Sequence, residues 1–491
     1  MVKTLPALAL LLTACFGAPR YRAPQIPVPA SFASLTAGAD DTSTRTLAAV
    51  RETSPETQRG VTFADTVAPR SFLREIGDST LTQLLAEARR SSADVRVAEA
   101  RLVGARASRR LASLDLVPTV TAIGSTTRQQ QSIAVVPGLR SQLPQQQLWD
   151  VGFDASWEID IFGRIARNVR AQQAFVASAE YGLDDVSLSV MAEVARSYFE
   201  LRGVQRQLAV SLRSAENQRR IVRLTEERLA AGRGTAFDTE RAKSALFLTL
   251  AATPVLETQI ALHRQRIAEL LGRTSDALPP ALLAAGVLPK LPDTLYVGSP
   301  EQLIRRRPDV RAAERQLAAQ TMLVGAARAE YLPRLTLGAR AGYVASSFDS
   351  LSRNGTSRLL VGPVLTFPLF DLGRVHERTE VAQARRSEAQ ATHDVTVLRA
   401  LGESETALVT YDRAHARLAI LADAVASSTR AAELAQQRFE AGLTDFLQVL
   451  DAQRTLLEAE NQLALSHTTA ATALVAVYKA VGEGGGTWPV R

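Results

Sequence analysis

The sequence has few of the residues that build disulfide frameworks, metal sites and phosphate-binding loops. Cys15 is the only cysteine among 491 residues, so no disulfide can form within the chain. The five histidines are scattered and form no ligand pair at zinc spacing: His263, His376, His393, His415 and His467. Gly232 and Gly234 are followed neither by a third glycine nor by Gly-Lys, so they form no phosphate-binding loop. These absences predict no metal, no cofactor and no enzymatic activity.

Aromatic residues and clusters of basic charge are also scarce. Aromatics make up 5% of the chain, and alanine is abundant, which favours helices over a β-rich body. The 57 basic and 50 acidic residues leave a net charge of +7 that is spread along the chain. Because no basic cluster with interleaved aromatic residues occurs, a nucleic-acid partner is not expected.

The N-terminus has an apolar run that is too short to span a bilayer as a helix. It reads MVKTLPALALLLTACFGAP, in which small residues precede Cys15, as in a lipoprotein signal peptide. This pattern predicts a signal peptide over 1–14 and an acylated Cys15, the alternative being a plain signal peptide with an incidental cysteine. Residue 16 is Phe and not Asp, which resembles lipoproteins sorted to the outer membrane. Residues 15–70 are rich in Pro, Ala, Ser and Thr and are predicted to form an extended strap.

The chain contains a tandem duplication. Glycines in matching contexts lie 210 residues apart, at Gly163 and Gly373, Gly232 and Gly442, and Gly272 and Gly482. Upstream, ADVRVAEARL at 93–102 and PDVRAAERQL at 308–317 are 215 apart, so copy one is five residues longer between Pro118 and Gly163. A register held over most of 94–272 and 309–482 indicates two copies of one structural unit.

Each copy is predicted to contain a helix, a β-hairpin, a long helix and a return helix. In the first repeat, 71–272, the last three are the hairpin at about 119–160, the long helix 164–231 and the return helix 235–272. In the second, 309–482, they are the hairpin at about 334–370, the long helix 374–441 and the return helix 445–481. An inter-repeat linker over 273–308 and a tail over 483–491 complete the layout.

The strand segments alternate between apolar and polar residues. In LWDVGFDASWEI, Trp149 and Trp157 lie on an apolar face with Phe153, while Asp150 and Asp154 lie on the opposite face. In the second copy Tyr343 falls on the corresponding apolar face of RLTLGARAGY. A half-buried soluble sheet is one interpretation, although Pro363 and Pro368 are awkward there. The other is the wall of a membrane barrel with Trp149, Trp157 and Tyr343 as interface aromatics.

The long helices carry apolar residues at intervals of seven. Val194, Leu201 and Leu208 begin one row, and Tyr411 and Leu418 begin the corresponding row of copy two. Strict seven-residue spacing predicts left-handed supercoiling against neighbouring helices. Four strands per chain leave two open edges, which the hydrocarbon region does not tolerate. An isolated coiled-coil rod does not account for the strands, whereas a homotrimer gives twelve strands and twelve helices around a pore.

Several motifs together resemble the outer-membrane efflux protein family, the TolC-like tunnels, in the lipoprotein branch that serves resistance-nodulation-division pumps. They are LTAC, FLREIGDSTLTQLL, WEIDIFGR, RRRPDVRAAERQL, YLPRLTL and FEAGLTDFLQVLDAQRTLLEAENQL. The resemblance covers nearly the whole mature chain. It implies a trimeric 12-stranded β-barrel in the outer membrane, continued by a 12-helix periplasmic α-barrel. It also implies contact with outer-membrane lipid, a periplasmic adaptor protein and an inner-membrane pump.

The resemblance implies that the periplasmic entrance is narrowed just after the second helical tip. It places Leu447, Asp451 and Arg454 at the constriction, while Gln448 stands where some relatives have a second Asp. Because 451 minus 210 is 241, we expect Arg241 and Asp451 to lie at equal height, either as a closing pair or as solvated charges. The tips are the expected adaptor contacts, with residues Gly232, Gly234, Thr235, Gly442, Leu443 and Thr444.

The expected function is passive conduction of small molecules out of the cell. Two alternatives remain from the sequence: the duct of a type I protein secretion system, and a non-conducting coiled-coil lipoprotein scaffold. A scaffold does not need strands with an aromatic, lipid-compatible face. The sequence does not identify the exported molecule.

Overall fold

The structure is a computed structural model that describes residues 76–130, 144–284, 288–292 and 294–482. It also describes Gly286, residues 62–64 and four positions of the N-terminal segment, namely Tyr21, Pro24, Pro29 and Phe32. The predicted signal peptide, Cys15, most of the predicted strap and the tail over 483–491 lie outside the described residues.

Long helices dominate the described chain. The helices are α1 (Ser79–Ser91), α2 (Ala93–Leu114), α3 (Arg164–Ala230), α4 (Ala236–Ala251), α5 (Thr253–Leu270), α6 (Pro300–Arg306), α7 (Pro308–Ala329), α8 (Leu372–Glu440) and α9 (Phe446–Val481). The strands are β1 (Thr62–Ala64), β2 (Thr119–Gln129), β3 (Gln146–Ile159), β4 (Thr294–Tyr296), β5 (Arg334–Ala345) and β6 (Ser357–Thr366). At about 1.5 Å per residue, the 67 residues of α3 extend over about 100 Å.

The chain divides into two compact units. One comprises residues 1–25, 101–180 and 312–393, and the other comprises 26–100, 181–311 and 394–491. The first unit contains a four-stranded antiparallel sheet in the order β2-β3-β5-β6. Its central pair, β3 and β5, joins the two repeats. Pro363 lies in β6, which is the edge strand of the sheet within one chain.

The second unit contains the largest hydrophobic core. Side chains from α1, α3, α5, α8 and α9 meet there with residues of the linker between the repeats. Phe32 of the N-terminal segment is buried in this core, and β1 pairs in parallel with β4 of the linker. Three residues of the predicted heptad rows are fully buried there, namely Val194, Leu201 and Tyr411.

Two helix boundaries differ from the sequence-based expectation. The return helix of copy one, expected over 235–272, is two helices, because Pro254 lies in the first turn of α5 and starts a new helix after Ala252. The second long helix begins at Leu372, two residues earlier than expected, with Gly373 inside its first turn. In copy one Gly163 adopts a left-handed φ of 72° directly before α3, so the two glycines are not equivalent in conformation.

Among the described residues, one helical stretch passes a length and hydropathy test for membrane crossing. It is Ala236–Leu270, with a mean hydropathy of 1.5 over its most apolar window. Only 11% of that window is buried, and the stretch is interrupted at Ala252 where α4 ends and α5 begins. We interpret it as an apolar helix surface that the single chain leaves uncovered.

Candidate functional site

The four-stranded sheet has two chemically different faces. Pairing places Trp149, Val151, Phe153 and Trp157 of β3 on the same face as the odd-numbered residues of β5 and β6. In these three strands that face carries no charged residue. It continues on β2 through the even-numbered positions, where Arg128 near the strand end is the one charge. Such a face is compatible with the hydrocarbon region of a membrane.

The opposite face carries the charges of the sheet in compensated pairs. Its acidic residues on β3 and its basic residues on β5 and β6 are Asp150, Asp154, Glu158, Arg334, Arg340 and Arg358. The Nη1 atom of Arg358 lies 2.7 Å from Oδ2 of Asp150, and Nε of Arg340 lies 3.4 Å from Oδ2 of Asp154. Each of these charged side chains has a partner, and none of them faces the apolar side. Their face of the sheet is therefore suited to line a water-filled lumen.

Two glycines on the charged face bring the backbones of β3 and β5 unusually close. Gly152 and Gly342 are directly opposite each other. A Cβ atom on Gly152 would lie 2.4 Å from the carbonyl oxygen of Ala341 and 2.7 Å from Cα of Gly342. Real Cβ atoms essentially never come within 3.0 Å of such atoms, so neither position has room for a side chain. The two glycines therefore leave no side chain between the strands on this face, and Arg358, directly opposite Gly342 on β6, reaches across it to Asp150.

Aromatic residues lie toward both ends of the apolar face. Trp149 and Tyr343 are near one end, where the Trp149 ring contacts Phe348 edge-on at 5.4 Å between centroids. Trp157 lies eight residues further along β3, and its Nε1 donates to the Leu116 carbonyl oxygen at 3.0 Å. Eight strand residues extend about 26 Å, which at a barrel tilt of about 40° rises about 20 Å, within the roughly 25 Å apolar band of an outer-membrane barrel. Sequence reasoning missed Phe348, because it lies in a loop outside the alternating pattern.

Both helical tips end in the same C-terminal motif. Gly232 and Gly442 adopt left-handed φ angles of 68° and 73°. In copy one the Gly232 N–H donates to the Leu229 carbonyl at 3.0 Å, and the Arg233 N–H donates to the Arg228 carbonyl at 2.8 Å. In copy two Gly442 donates to Phe439 and Leu443 to Arg438 at the same two distances. This is the Schellman arrangement, in which glycine closes the helix and exposes a short tip.

The next helix at each tip begins with a side-chain cap. Thr235 accepts from the Asp238 N–H at the start of α4, and Asp445 accepts from the Gln448 N–H at the start of α9. These caps are again 210 residues apart. Among the predicted adaptor contacts, Leu443 projects into solvent with 71% of its surface exposed.

The predicted constriction residues lie on one exposed face of α9. Leu447, Asp451 and Arg454 are exposed and spaced four and three residues apart, as expected for one helix face. Oδ1 of Asp451 lies 3.2 Å from Nη2 of Arg454, so in the single chain its partner is on its own helix. Arg241 of α4 instead lies over the Phe237 ring, 5.3 Å from its centroid. Within the described residues of one chain, Asp451 and Arg241 do not pair directly.

Phe237 is a residue that sequence reasoning missed. It is the copy-one equivalent of Leu447, because 447 minus 210 is 237. Both side chains are exposed, Phe237 by 67% and Leu447 by 49%. The repeat offset, applied to Leu447 as it was to Asp451, identifies this second apolar residue.

The sheet is apolar on one side and ion-paired on the other, and it is joined to helical hairpins. These features define a class of protein, the membrane channel subunit with helical extensions. Residues 84–273 and 299–483 match the model of the outer membrane efflux protein family. The chain belongs to this family. The two matched blocks correspond to the two repeats.

The relatives cover almost the full length of the chain. It is 31% identical to outer membrane protein OprJ of Pseudomonas aeruginosa, over 97% of this chain and 94% of that protein. It is 28% identical to the toluene efflux pump outer membrane protein TtgI of Pseudomonas putida, over 98% of both. The solved structure of the outer-membrane channel OprN superposes with a TM-score of 0.82 at 33% identity, covering 96% of this chain and 99% of that one. These comparisons confirm the predicted family and fold class.

Proposed function

We propose that this protein is the outer-membrane exit duct of a tripartite efflux system and conducts small molecules passively. The observation that carries the proposal is the sheet, whose one face is apolar and aromatic with Arg128 as its one charge, while its opposite face is ion-paired. In one chain β2 and β6 are open edges. The hydrocarbon region does not tolerate open edges, so three chains close the strands into a twelve-stranded barrel. We assign the protein no catalytic role.

The partners follow from this function. The duct works as a homotrimer in the outer membrane of a Gram-negative bacterium, with a periplasmic adaptor and an inner-membrane pump of the resistance-nodulation-division type. The apolar surface of α4 and α5 supports lateral association, because four large side chains are exposed in the single chain: Phe247, Leu248, Val255 and Leu262. The exposed tips around Gly232 and Gly442 are the proposed adaptor contacts.

The pump and not the duct selects the exported molecule. TtgI is named for toluene efflux at 28% identity, and protein OpmQ of Pseudomonas aeruginosa is named for pyoverdine export at 30% identity. A solvent and a siderophore share little chemistry, yet their ducts are about equally similar to this chain. Both names refer to small molecules, which favours efflux over type I protein secretion.

The decisive experiment is the mass and conductance of the purified protein. In detergent the protein should be a trimer, and in planar bilayers it should give single-channel conductance. A monodisperse monomer without conductance would support the non-conducting scaffold.

Trp149, Trp157 and Tyr343 are the proposed interface aromatics, and fluorescence quenching of the tryptophans by brominated lipids tests that placement.

We also propose that Cys15 carries the lipid anchor and that the entrance is closed by Leu447, Asp451, Arg454 and Arg241. A tunnel open at rest would leak periplasmic solutes, so weak contacts that an adaptor can break are expected at its entrance. Exposed ion pairs suit this role, being worth roughly 0.2 to 1 kcal/mol each. Asp451 and Arg241 do not pair within the described residues of one chain, so the lock that we propose between them joins two neighbouring subunits.

A further inference from the structure

Near the tips, the two repeats of one chain are joined by a contact that uses only one of two equivalent arginines. Arg228 of α3 places its guanidinium 4.0 Å from the centroid of the Phe439 ring. Its Nη2 donates to the Phe439 carbonyl at 2.7 Å and to the Glu440 carbonyl at 3.3 Å. Arg228 thus binds the last two carbonyl groups of α8, of which the Phe439 carbonyl also accepts from the Gly442 N–H of the Schellman motif. A cation at a helix C-terminus also interacts favourably with the helix dipole.

A small apolar cluster surrounds this contact. Phe439 is buried with Phe446 and Val449 of copy two against Ile221 of copy one, and Leu224 packs on the cluster. The cluster and the arginine contact together form what we call the in-chain junction. It joins hairpin one, formed by α3 and α4, to hairpin two, formed by α8 and α9.

The repeat offset predicts a second junction of the same form. Arg228, Leu224 and Phe439 correspond to Arg438, Leu434 and Leu229, since each pair differs by 210. Arg438 is exposed, and its side chain makes no hydrogen bond or ion pair with the residues that the structure describes. Leu434 and Leu229 are 59% and 39% exposed, although Phe439, the equivalent of Leu229, is only 7% exposed.

A second copy of this chain supplies the contacts that Arg438, Leu434 and Leu229 lack within one chain. Hairpin one is covered by hairpin two of its own chain, so in a closed ring hairpin two must meet hairpin one of the next chain. We propose that Arg438 caps α3 of the neighbouring subunit at the carbonyls of the partner's Leu229 and the partner's Ala230, while Leu434 packs on the partner's Leu229. We call this contact the between-chain junction. It rests on the trimer of the proposed function.

The between-chain junction is the weaker of the two. Leu229 replaces Phe439, so Arg438 has no aromatic ring beneath its guanidinium, which removes a cation–π interaction. Ala236 replaces Phe446, which lies 5.8 Å from the Phe439 ring in the in-chain junction. With a smaller apolar area to bury, this junction separates first. The entrance therefore opens along the seams between subunits.

Paired cysteine variants test the junction directly. Leu229→Cys with Leu434→Cys should form covalent oligomers with a short bismaleimide, and more than half of the protein should run as dimer or trimer on denaturing gels. The matched control, Leu224→Cys with Phe439→Cys, should cross-link within the monomer. The parent protein, with Cys15 alone, should give neither product. Mass measurement in mild detergent first establishes that each variant is a trimer.

The outcomes separate the junction from the proposed function. If the Leu229→Cys, Leu434→Cys variant is a trimer but gives no covalent oligomer, the between-chain junction is wrong and the proposed duct stands. If the parent protein is not a trimer, both the junction and the proposed function are wrong. Arg438→Ala should lower the temperature at which the trimer dissociates, while Arg228→Ala should not. Equal effects of the two variants would also overturn the junction.

Channel-opening measurements test whether the entrance opens along the seams between subunits. In planar bilayers the channel cross-linked between chains should open to full conductance at least tenfold less often than the same variant before cross-linking. The channel cross-linked within each chain should open as often as before. Equal suppression by both cross-links would show that the seam is not the place where the entrance opens.

Discussion

At the scale of single residues, Arg307 forms a buried group of ion pairs in the second unit. Its guanidinium is buried and forms two hydrogen bonds with Asp309, at 3.1 and 2.7 Å, and one with Glu403 at 2.7 Å. Burial alone would lower the pKa of Arg307, but the hydrogen bonds and charges of Asp309 and Glu403 outweigh it and raise the pKa. The motif RRRPDVR thus links the start of α7 to the middle of α8.

A neighbouring carboxyl in the same region is destabilised by its surroundings. Burial raises the pKa of Asp185, and the charge of Asp309 raises it further, although Lys479 and Arg307 act in the opposite direction. A raised pKa means that the folded state binds this proton more tightly than the unfolded state. Stability is therefore lost as the pH rises from about the unfolded value of 3.8 through the folded pKa.

Asp185→Asn should remove this penalty. The variant should have a higher Tm than the parent at pH 7, and the difference should disappear below the unfolded pKa of 3.8, where the native carboxyl is protonated in both states. Thermal unfolding followed by circular dichroism at both pH values measures it. The exposed Asp349→Asn serves as the control and should change Tm at neither pH. A lower Tm of Asp185→Asn at pH 7 would contradict the prediction.

The constriction gives a second prediction at this scale. Asp451→Ala should raise the resting conductance and lower cation preference, because it removes both a closing contact and a negative charge. Arg241→Ala should raise conductance without lowering that preference. The double variant should open little further than either single one, since both changes break the same contact.

Arg454→Ala distinguishes the two partners proposed for Asp451, because Arg454 pairs with Asp451 within the single chain. If Asp451 acts only through Arg454, this variant should reproduce the conductance of Asp451→Ala. Fully additive opening in the Asp451 and Arg241 double variant would leave both residues as solvated helix charges.

At the scale of elements, the close approach of β3 and β5 depends on two glycines. In Gly152→Ala the new methyl group would lie 2.4 Å from a backbone oxygen, which cannot move without separating the strands. We expect little folded, heat-modifiable trimer on unboiled gels. Gly362→Ala, on the same face, is the matched control, since nothing lies within 4 Å of its new methyl group. Equal yields of the two variants would show that the strands tolerate separation.

The two helical tips have the same backbone turn but different side chains around it. The Schellman motif at Gly232 and at Gly442 has the same hydrogen bonds and distances. The side chains around it have diverged, with Leu229 in the place of Phe439 and Arg241 in the place of Asp451. The duplication therefore conserves the backbone turn, while the side chains determine which contacts are strong.

At the scale of the whole molecule, the lipid anchor is separable from the barrel. Cys15→Ser should abolish incorporation of labelled palmitate, while the sheet still inserts, because its own apolar face provides a membrane-buried surface that does not depend on the acyl chain. Radiolabelling and membrane fractionation measure the two effects, with the Cys15 parent as the control. Undiminished labelling of the serine variant would exclude acylation at this position.

The sequence by itself determined the duplication, the alternation of the strands and the family. The first two are periodic features that can be read from the order of residues, as an offset of 210 and a strand period of two. The family was predicted from several motifs that occur in order along the chain. Gly232, Gly442 and Arg241 could be placed in this way, since each stands at a fixed position in a repeat, whereas Leu447 and Asp451 were predicted from the family resemblance.

Only the tertiary structure decided which residues meet across the repeats. The approach of Gly152 to Gly342, the reach of Arg358 to Asp150 and the cap that Arg228 places on α8 all join positions that are more than 180 residues apart. Pro254 also divided a helix that periodicity predicts as continuous. The physical reason is that long-range contacts depend on strand register and helix packing, which bring together side chains with no fixed spacing in the sequence.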